Sequence, residues 1–117
     1  MLSQDKAAAA KFFSEVFGLP APKPFGPFLA VETANKVSLD FMTHAGSVAP
    51  QHYAFLVSER EFDSIFSRIR QRGLQYWADP HQQQPNEINT YSGGRGVYFP
   101  DPSGHLLEIL TVPYGGD

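Results

Sequence analysis

Residues 106–112, near the end of the chain, are apolar except for Glu108 and Thr111, and this short apolar run predicts a β-strand. Residues 96–99 predict a second strand, joined to the first by the turn-forming residues 100–104. Because side chains alternate across a strand, Glu108 lies on the opposite face from its two apolar neighbours. A carboxylate in an apolar strand is costly to bury without a partner, so we expect other polar groups to meet Glu108.

The first half of the chain predicts one helix and a hairpin. Asp5 or Ser3 can cap the helix, four consecutive alanines favour it, and Gly18 suits a left-handed C-terminal residue. The predicted elements are a helix over residues 3–17, an irregular proline-rich connection over 19–27, and strands over 28–33 and 37–42 that turn at Ala34-Asn35.

The second half predicts a strand before its helix and three strands in all after that helix. Ser58 and Glu61 have the spacing of a capping box, and the apolar residues that follow recur at helical intervals. The predicted elements are a strand over 51–57, a helix over 59–72, a strand over 74–78, a polar loop over 79–92, and strands over 96–99 and 106–112. The loop is a candidate lid by its length alone.

The two halves resemble each other, which indicates a duplication. Gly18-Leu19 and Gly73-Leu74 both follow a helix, an offset of 73 − 18 = 55 residues. The strand that carries His52 has its counterpart near position 52 − 55 = −3. We therefore predict an α+β fold in one domain, residues 1–117, made of paired βαβββ modules over 1–46 and 51–117. The first strand of module one is expected to be missing.

Composition narrows the classes of function. The 117 residues are 42% hydrophobic and 18% charged with a net charge of −3, so a globular domain is expected. No basic stripe or membrane-length apolar run favours nucleic acid or a membrane. The absence of cysteine excludes disulfides, thiolate catalysis and cysteine-based zinc sites. We expect a soluble, cytoplasmic protein.

Each predicted strand has one bulky apolar face and one mixed face. A curved sheet with its helices outside would gather the polar side chains of the mixed faces in one cavity: Asp40, His52, Tyr98 and Glu108. Two carboxylates and an imidazole suit a divalent ion such as Mn, Fe, Ni, Co or Zn. The pattern therefore predicts a metal site.

A plainer interpretation satisfies each polar group separately. A single histidine at the start of a strand is more often hydrogen-bonded or half-exposed than a ligand, and Asp40 fits the wet side of a hairpin. Arg95, within a glycine-rich segment, is either an anchor for an anionic substrate group or a solvated loop charge. His105 follows the turn and is expected to be exposed.

Residues 94–108, from the glycine-rich segment through the Pro-Asp-Pro-Ser-Gly turn to Glu108, resemble the C-terminal motif of the vicinal oxygen chelate superfamily. This group includes glyoxalase I, extradiol dioxygenases, fosfomycin-resistance enzymes and bleomycin-resistance proteins. The helix end at residues 12–19 is similar to the first module of the same family. The resemblance implies paired βαβββ modules that form an open curved sheet around a metal or ligand.

The resemblance also implies site residues. Glu108 and His52 match the last-strand carboxylate and first-strand histidine of module two. Asp40 matches the last-strand position of module one, where Glu, His or Gln is commoner, and a fourth ligand, a first-strand histidine, has no match. Tyr98 resembles an active-site tyrosine of extradiol dioxygenases, with an acid-base or supporting role. A late start site, a strand exchanged with a partner subunit, or natural loss would each explain the missing strand; we favour the first.

Two functions follow from the resemblance. The first is a metal-dependent enzyme, a lyase or a dioxygenase, that acts on a small oxygenated substrate chelated through vicinal oxygens. The second is a non-catalytic protein of the bleomycin-resistance type that binds an antibiotic or metabolite in the cavity of a homodimer. Substrate and metal identity stay open, since one fold hosts many chemistries.

Overall fold

The computed structural model describes residues 1–33, 37–44, 46 and 48–113. Within these ranges the chain is mixed α+β and forms two compact units, each a small sheet with one helix, which confirms the predicted fold class. The first unit is Met1–Pro50 with Asp101–Ser103, and the second is Gln51–Pro100 with the chain from Gly104 onward. No described helix combines the length and apolarity needed to cross a membrane. The predicted turn at Ala34-Asn35 lies outside the described residues.

The first unit packs one helix on a four-stranded sheet. Its elements are β1 (Leu2–Ser3), α1 (Lys6–Phe17), β2 (Lys23–Phe25), β3 (Phe28–Glu32) and β4 (Ser38–Thr43). The strand order is β1-β4-β3-β2, with β1 parallel to β4 and the other pairs antiparallel. Asp5 caps α1 by accepting from the N–H groups of Ala7 and Ala8, and Gly18 ends it with φ of 68°.

Two details of the first unit differ from the prediction. The expected loss of the first strand is only partial, because Leu2 and Ser3 pair with Met42 and Thr43 of β4. The connection over residues 19–27 is not wholly irregular, since it contains β2. Proline is compatible with β2 because this strand lies at the edge of the sheet, where a missing N–H costs no ladder hydrogen bond.

The second unit packs one helix on a three-stranded sheet. Its elements are β5 (His52–Leu56), α2 (Glu59–Gln71), a 3-10 turn at Tyr91–Gly93, β6 (Gly96–Pro100) and β7 (Leu106–Leu110). The strand order is β5-β7-β6, with β5 parallel to β7. The predicted capping box is present: Ser58 Oγ accepts from Glu61 N–H, and the Glu61 carboxylate accepts from Ser58 N–H.

The strand predicted over residues 74–78 is wrong. Trp77 alone forms bridges, one to Pro85 and one to Tyr98 of β6, and its neighbours pair with no strand. This bridge lies beside β6, at the position that β2 occupies beside β3 in the first unit. The second unit thus keeps the order of the first, with its second strand reduced to a single pair.

The sheet of the second unit has one apolar face and one mixed face, as the alternation predicts. The buried residues of the apolar face are Val97, Phe99, Leu107 and Ile109, and α2 buries Phe62, Ile65 and Ile69. Since the strands alternate strictly, Tyr98 and Glu108 are directed to the opposite face. The apolar core therefore determines which face carries the polar groups.

The capping box yields a stability prediction. Ser58→Ala should lower the free energy of unfolding by about 1 kcal/mol, because Glu61 N–H loses its acceptor at the first turn of α2. Urea denaturation of this variant beside Ser64→Ala, an exposed position of the same helix, measures the difference. Equal unfolding midpoints for the two variants would contradict a stabilising cap.

Candidate metal centre

Glu108 occupies the middle of the central strand of the second unit. Its register partners are Ala54 on β5 and Tyr98 on β6, and the residue is fully buried. Ala54 is small, so it leaves room above β5 for a longer side chain to reach Glu108. His52, two residues earlier on the same face of β5, fills that room.

His52 and Glu108 form a close pair of unequal exposure. His52 Nε2 lies 3.0 Å from Glu108 Oε1, and in the tautomer that carries its proton on Nε2 the ring donates a hydrogen bond to the carboxylate. The His52 side chain is 45% exposed and that of Glu108 only 1%. The imidazole therefore separates the buried carboxylate from solvent.

Tyr98 closes the other side of Glu108. Its ring centroid lies 5.5 Å from that of His52, and its hydroxyl hydrogen-bonds to the Glu108 carboxylate. Only 3% of Tyr98 is exposed. The structure thus brings together three of the predicted site residues, His52, Tyr98 and Glu108, as a chain of contacts across three strands.

Burial dominates the electrostatics of this cluster. It raises the pKa of Glu108 above its ordinary value of 4.5, although hydrogen bonds from His52 and Tyr98 partly oppose the rise. Burial also raises the pKa of the Tyr98 phenol, and the Glu108 charge and hydrogen bond raise it further. Tyr98 therefore keeps its proton and acts as a hydrogen-bond donor at neutral pH.

The geometry of the pair fits two ligands of one metal ion. Ligands bound at about 2.1 Å and at right angles to each other stand about 3.0 Å apart, as the two atoms of His52 and Glu108 do. An imidazole nitrogen with a carboxylate oxygen is the donor set of divalent transition metals. Within the part of the chain that the structure describes, no group of three His, Cys, Asp or Glu side chains could hold a metal, so the pair supplies two donors.

Asp40 lies in the first unit, on β4 opposite Ala30. Its Oδ1 accepts a hydrogen bond from Ser38 Oγ at 3.1 Å, and its backbone oxygen accepts from the N-terminal ammonium at 2.6 Å. It is the third residue of the last strand of its unit, as Glu108 is in the second unit. Its role as a metal ligand stays a prediction.

Arg95 makes contacts with helix α2. Its guanidinium pairs with Glu59 at 2.7 Å and Asp63 at 2.8 Å, and lies 4.4 Å from the centre of the Phe62 ring. These contacts join the start of β6 to α2, a structural role that the sequence did not predict. Binding of a substrate anion by Arg95 stays a prediction, and its observed charge partners are already protein carboxylates.

His105 is not exposed, contrary to the prediction. Only 1% of the residue is accessible, and its Nδ1 accepts a hydrogen bond from Gln51 N–H at 3.0 Å. The alternation of β7 contained the missed signal, because extending it back by one residue places His105 on the apolar face with Leu107 and Ile109. Gly104, with φ of 85°, ends the turn and lets the chain enter that strand.

The predicted lid segment, residues 79–92, is fixed near both ends. Asp79 Oδ1 accepts from the N–H groups of Gln83 and Gln84; although burial opposes it, these bonds lower the pKa of Asp79. Asn89 exchanges backbone hydrogen bonds with Gly96 of β6 and its side chain donates to Ala78 O. A lid function stays a prediction.

The raised pKa of Glu108 links stability to pH. The unfolded chain releases this proton near pH 4.5, whereas the folded protein holds it to higher pH. The contribution of Glu108 to stability is therefore fully present below pH 4.5 and is lost as the pH rises through the folded pKa.

Glu108→Gln cannot ionise and should escape this loss. In EDTA, the free energy of unfolding of Glu108→Gln relative to wild type should rise as the pH is raised from below 4.5 to 7. Urea denaturation across this range measures the difference, with exposed Glu87→Gln as the control for one lost charge. A difference that is flat or changes in the opposite direction would contradict a buried, destabilised carboxylate.

Comparison with known proteins identifies relatives of this chain. A solved structure of an oxidase, ChaP-H1, is 61% identical with a TM-score of 0.95, and the match covers 99% of this chain and 94% of that chain. A lactoylglutathione lyase from Agrobacterium tumefaciens is 20% identical with a TM-score of 0.69, covering 95% of this chain and 88% of that chain. This second likeness shows the fold alone.

Among curated proteins, glutathione transferase FosA of Serratia marcescens is 38% identical over 58 residues, which are 50% of this chain and 34% of that protein. Metallothiol transferase FosB of Shouchella clausii is 35% identical over 60 residues, 51% of this chain and 37% of that protein. The matched region spans about a third of the length of these curated relatives. Residues 1–109 match the model of the Glyoxalase/Bleomycin resistance protein/Dioxygenase superfamily, and the chain belongs to this superfamily.

Proposed function

We propose that this chain is a metal-dependent enzyme that acts on a small oxygenated substrate chelated through two neighbouring oxygens. The observation that carries the proposal is the His52–Glu108 pair, a fully buried carboxylate 3.0 Å from a half-exposed imidazole. A buried negative charge costs free energy unless a cation neutralises it. A divalent ion bound by both the carboxylate and the imidazole would neutralise it.

Oxidation is the reaction class that the similarities favour. The oxidase ChaP-H1 is 61% identical over nearly the whole of both chains, whereas the transferase FosA matches only half of this chain. We therefore propose an oxidoreductase of the dioxygenase type, in which molecular oxygen is the oxidant, rather than a lyase or a thiol transferase. The substrate class is a compound with vicinal hydroxyl or carbonyl oxygens.

His52 and Glu108 would hold the cation, and Asp40 is kept as a proposed metal ligand. The bound cation would supply a Lewis acid that polarises the oxygens of the substrate. Mn, Fe, Ni, Co and Zn all fit the imidazole and carboxylate donors. The exposure of His52 and the burial of Glu108 indicate that the substrate approaches from the His52 side.

Tyr98 would orient and protonate rather than remove a proton. Its pKa is raised, so the phenol stays protonated at neutral pH and donates a hydrogen bond to Glu108. If Glu108 turns toward a cation, the same O–H can donate to an oxygen that gains negative charge in the reaction. We propose this donor role for Tyr98.

A non-catalytic binding protein is the second candidate. The observation that favours it is that only two donors, His52 and Glu108, come together among the described residues, and both already satisfy each other. Such a protein would hold a small molecule without turnover. A homodimer in the cytoplasm is proposed for either function, with the family resemblance as its support.

Elemental analysis of the purified protein separates the two candidates. After exposure to Mn, Fe, Ni, Co and Zn, wild type should retain about one metal ion per chain, while His52→Ala and Glu108→Ala should lose it because each removes a ligand. Asp40→Ala should weaken retention if its carboxylate is the third ligand. The matched controls are His81→Ala and Glu87→Ala, two exposed loop positions that should keep the metal.

A wild-type protein that retains none of these metals would overturn the metal-dependent proposal and favour the binding protein. Metal retained equally by wild type and by both ligand variants would place the ion elsewhere in the chain. Either result would contradict the role given to the His52–Glu108 pair.

A further inference from the structure

His105 is a buried imidazole that the proposed chemistry does not use. It lies on the apolar face of the sheet, opposite to Glu108, and its ring meets that of Tyr53 edge-on at 5.3 Å and 89°. An imidazole has two polar nitrogens, and burying them is costly unless they are hydrogen-bonded. A leucine or phenylalanine would fill an apolar site without the free-energy cost of burying polar nitrogens. The hydrogen bonds of His105 therefore point to a role beyond filling space.

The hydrogen bond of His105 Nδ1 reaches a backbone group beside the site. Gln51 N–H donates to this nitrogen at 3.0 Å, which assigns Nδ1 as the acceptor and Nε2 as the carrier of the proton in the neutral ring. The next residue along, Leu106, donates its N–H to Gln51 O at 2.8 Å. His105 and Leu106, two consecutive residues, therefore hydrogen-bond to both backbone polar groups of Gln51, its N–H and its C=O.

Gln51 is the residue immediately before the strand that carries His52. The parallel ladder begins with His52 opposite Leu106, so Gln51 has no regular strand pairing before that point. The side chain of His52 must also reach across to β7 to meet Glu108, two residues beyond its own register partner. Small movements at the start of β5 would change that reach directly.

We propose that His105 is a positioning residue: by accepting the hydrogen bond of Gln51 N–H, it fixes the start of β5 and holds the His52 imidazole at Glu108. His105 acts from the opposite face of the sheet and touches neither the substrate nor a metal. The inference rests on the proposed function, since it concerns the same His52–Glu108 pair. Loss of a group that hydrogen-bonds directly to a metal ligand typically weakens metal affinity by about 10-fold to 100-fold, and we expect the lower end for His105, which acts through the neighbouring backbone.

Two matched variants isolate the acceptor. Asn and Leu have the same branching and the same number of side-chain heavy atoms, but only Asn places an oxygen where Nδ1 lies. His105→Asn can still accept from Gln51 N–H, and His105→Leu cannot. If His105 only packs, His105→Leu should stay closer to wild type at this buried position. If His105 positions Gln51, His105→Asn should stay closer. The two explanations therefore rank the two variants in opposite orders.

The first readout is the dissociation constant for Mn²⁺ alone, measured by electron paramagnetic resonance of the free ion. His105→Leu should bind Mn²⁺ about 10-fold more weakly than wild type, and His105→Asn should stay close to wild type. Ile69→Val, a buried core position of α2, is the control for a general loss of stability and should keep wild-type affinity. Equal Mn²⁺ affinities for His105→Leu and His105→Asn would overturn the proposal.

The second readout is hydrogen exchange of the Gln51 amide, which needs no metal. Exchange should be faster in His105→Leu than in His105→Asn, because the amide loses its acceptor. If wild type binds none of Mn, Fe, Ni, Co and Zn, the proposed function fails, and the Gln51 amide then tests alone whether His105 fixes the start of β5. Equal exchange in the two variants would overturn it.

Discussion

A carboxylate with no accessible surface must be satisfied by the strands beside it, and Glu108 sets this requirement for the second unit. The apolar face of the sheet packs against a core of aromatic and aliphatic side chains, so strict alternation directs Glu108 to the other face. There Ala54 leaves space, His52 supplies an N–H and Tyr98 supplies an O–H. The two strands beside β7 therefore contribute three groups whose size or polarity suits this carboxylate, two from β5 and one from β6.

The repeat makes the contrast between the two units informative. Asp40 and Glu108 are each the third residue of the last strand of their unit, but their register partners are Ala30 and Tyr98. Asp40 is partly exposed and meets the Ser38 hydroxyl, while Glu108 is fully enclosed. The same position in the fold thus carries two carboxylates in different environments, and the buried one forms the pair with His52.

Much of the fold could be predicted because its signals are local: the capping box at Ser58, the left-handed glycine at position 18, and the alternation that places Tyr98 and Glu108 on one face. The rest depends on distant partners. Residues 74–78 have the composition of a strand, but among them only Trp77 forms β-bridges, and its bridge partners lie 8 and 21 residues along the chain. Arg95 illustrates the same limit, since no local pattern predicts its pairing with Glu59 of α2.

For the site, the alternation identified His52, Tyr98 and Glu108. The burial of His105 could not be predicted in this way, because its hydrogen-bond partner Gln51 lies 54 residues away.

The most direct test of the account is the position of a bound metal ion. Crystals of the wild-type protein soaked in MnCl₂ would be measured by anomalous diffraction near the manganese absorption edge. If this pair is a metal centre, one strong anomalous peak should lie within coordination distance of both His52 Nε2 and Glu108 Oε1, about 2.1 Å from each. Well-ordered crystals with no peak there, or with His52 and Glu108 still bonded to each other and the metal bound elsewhere, would contradict the claim that this pair is a metal centre.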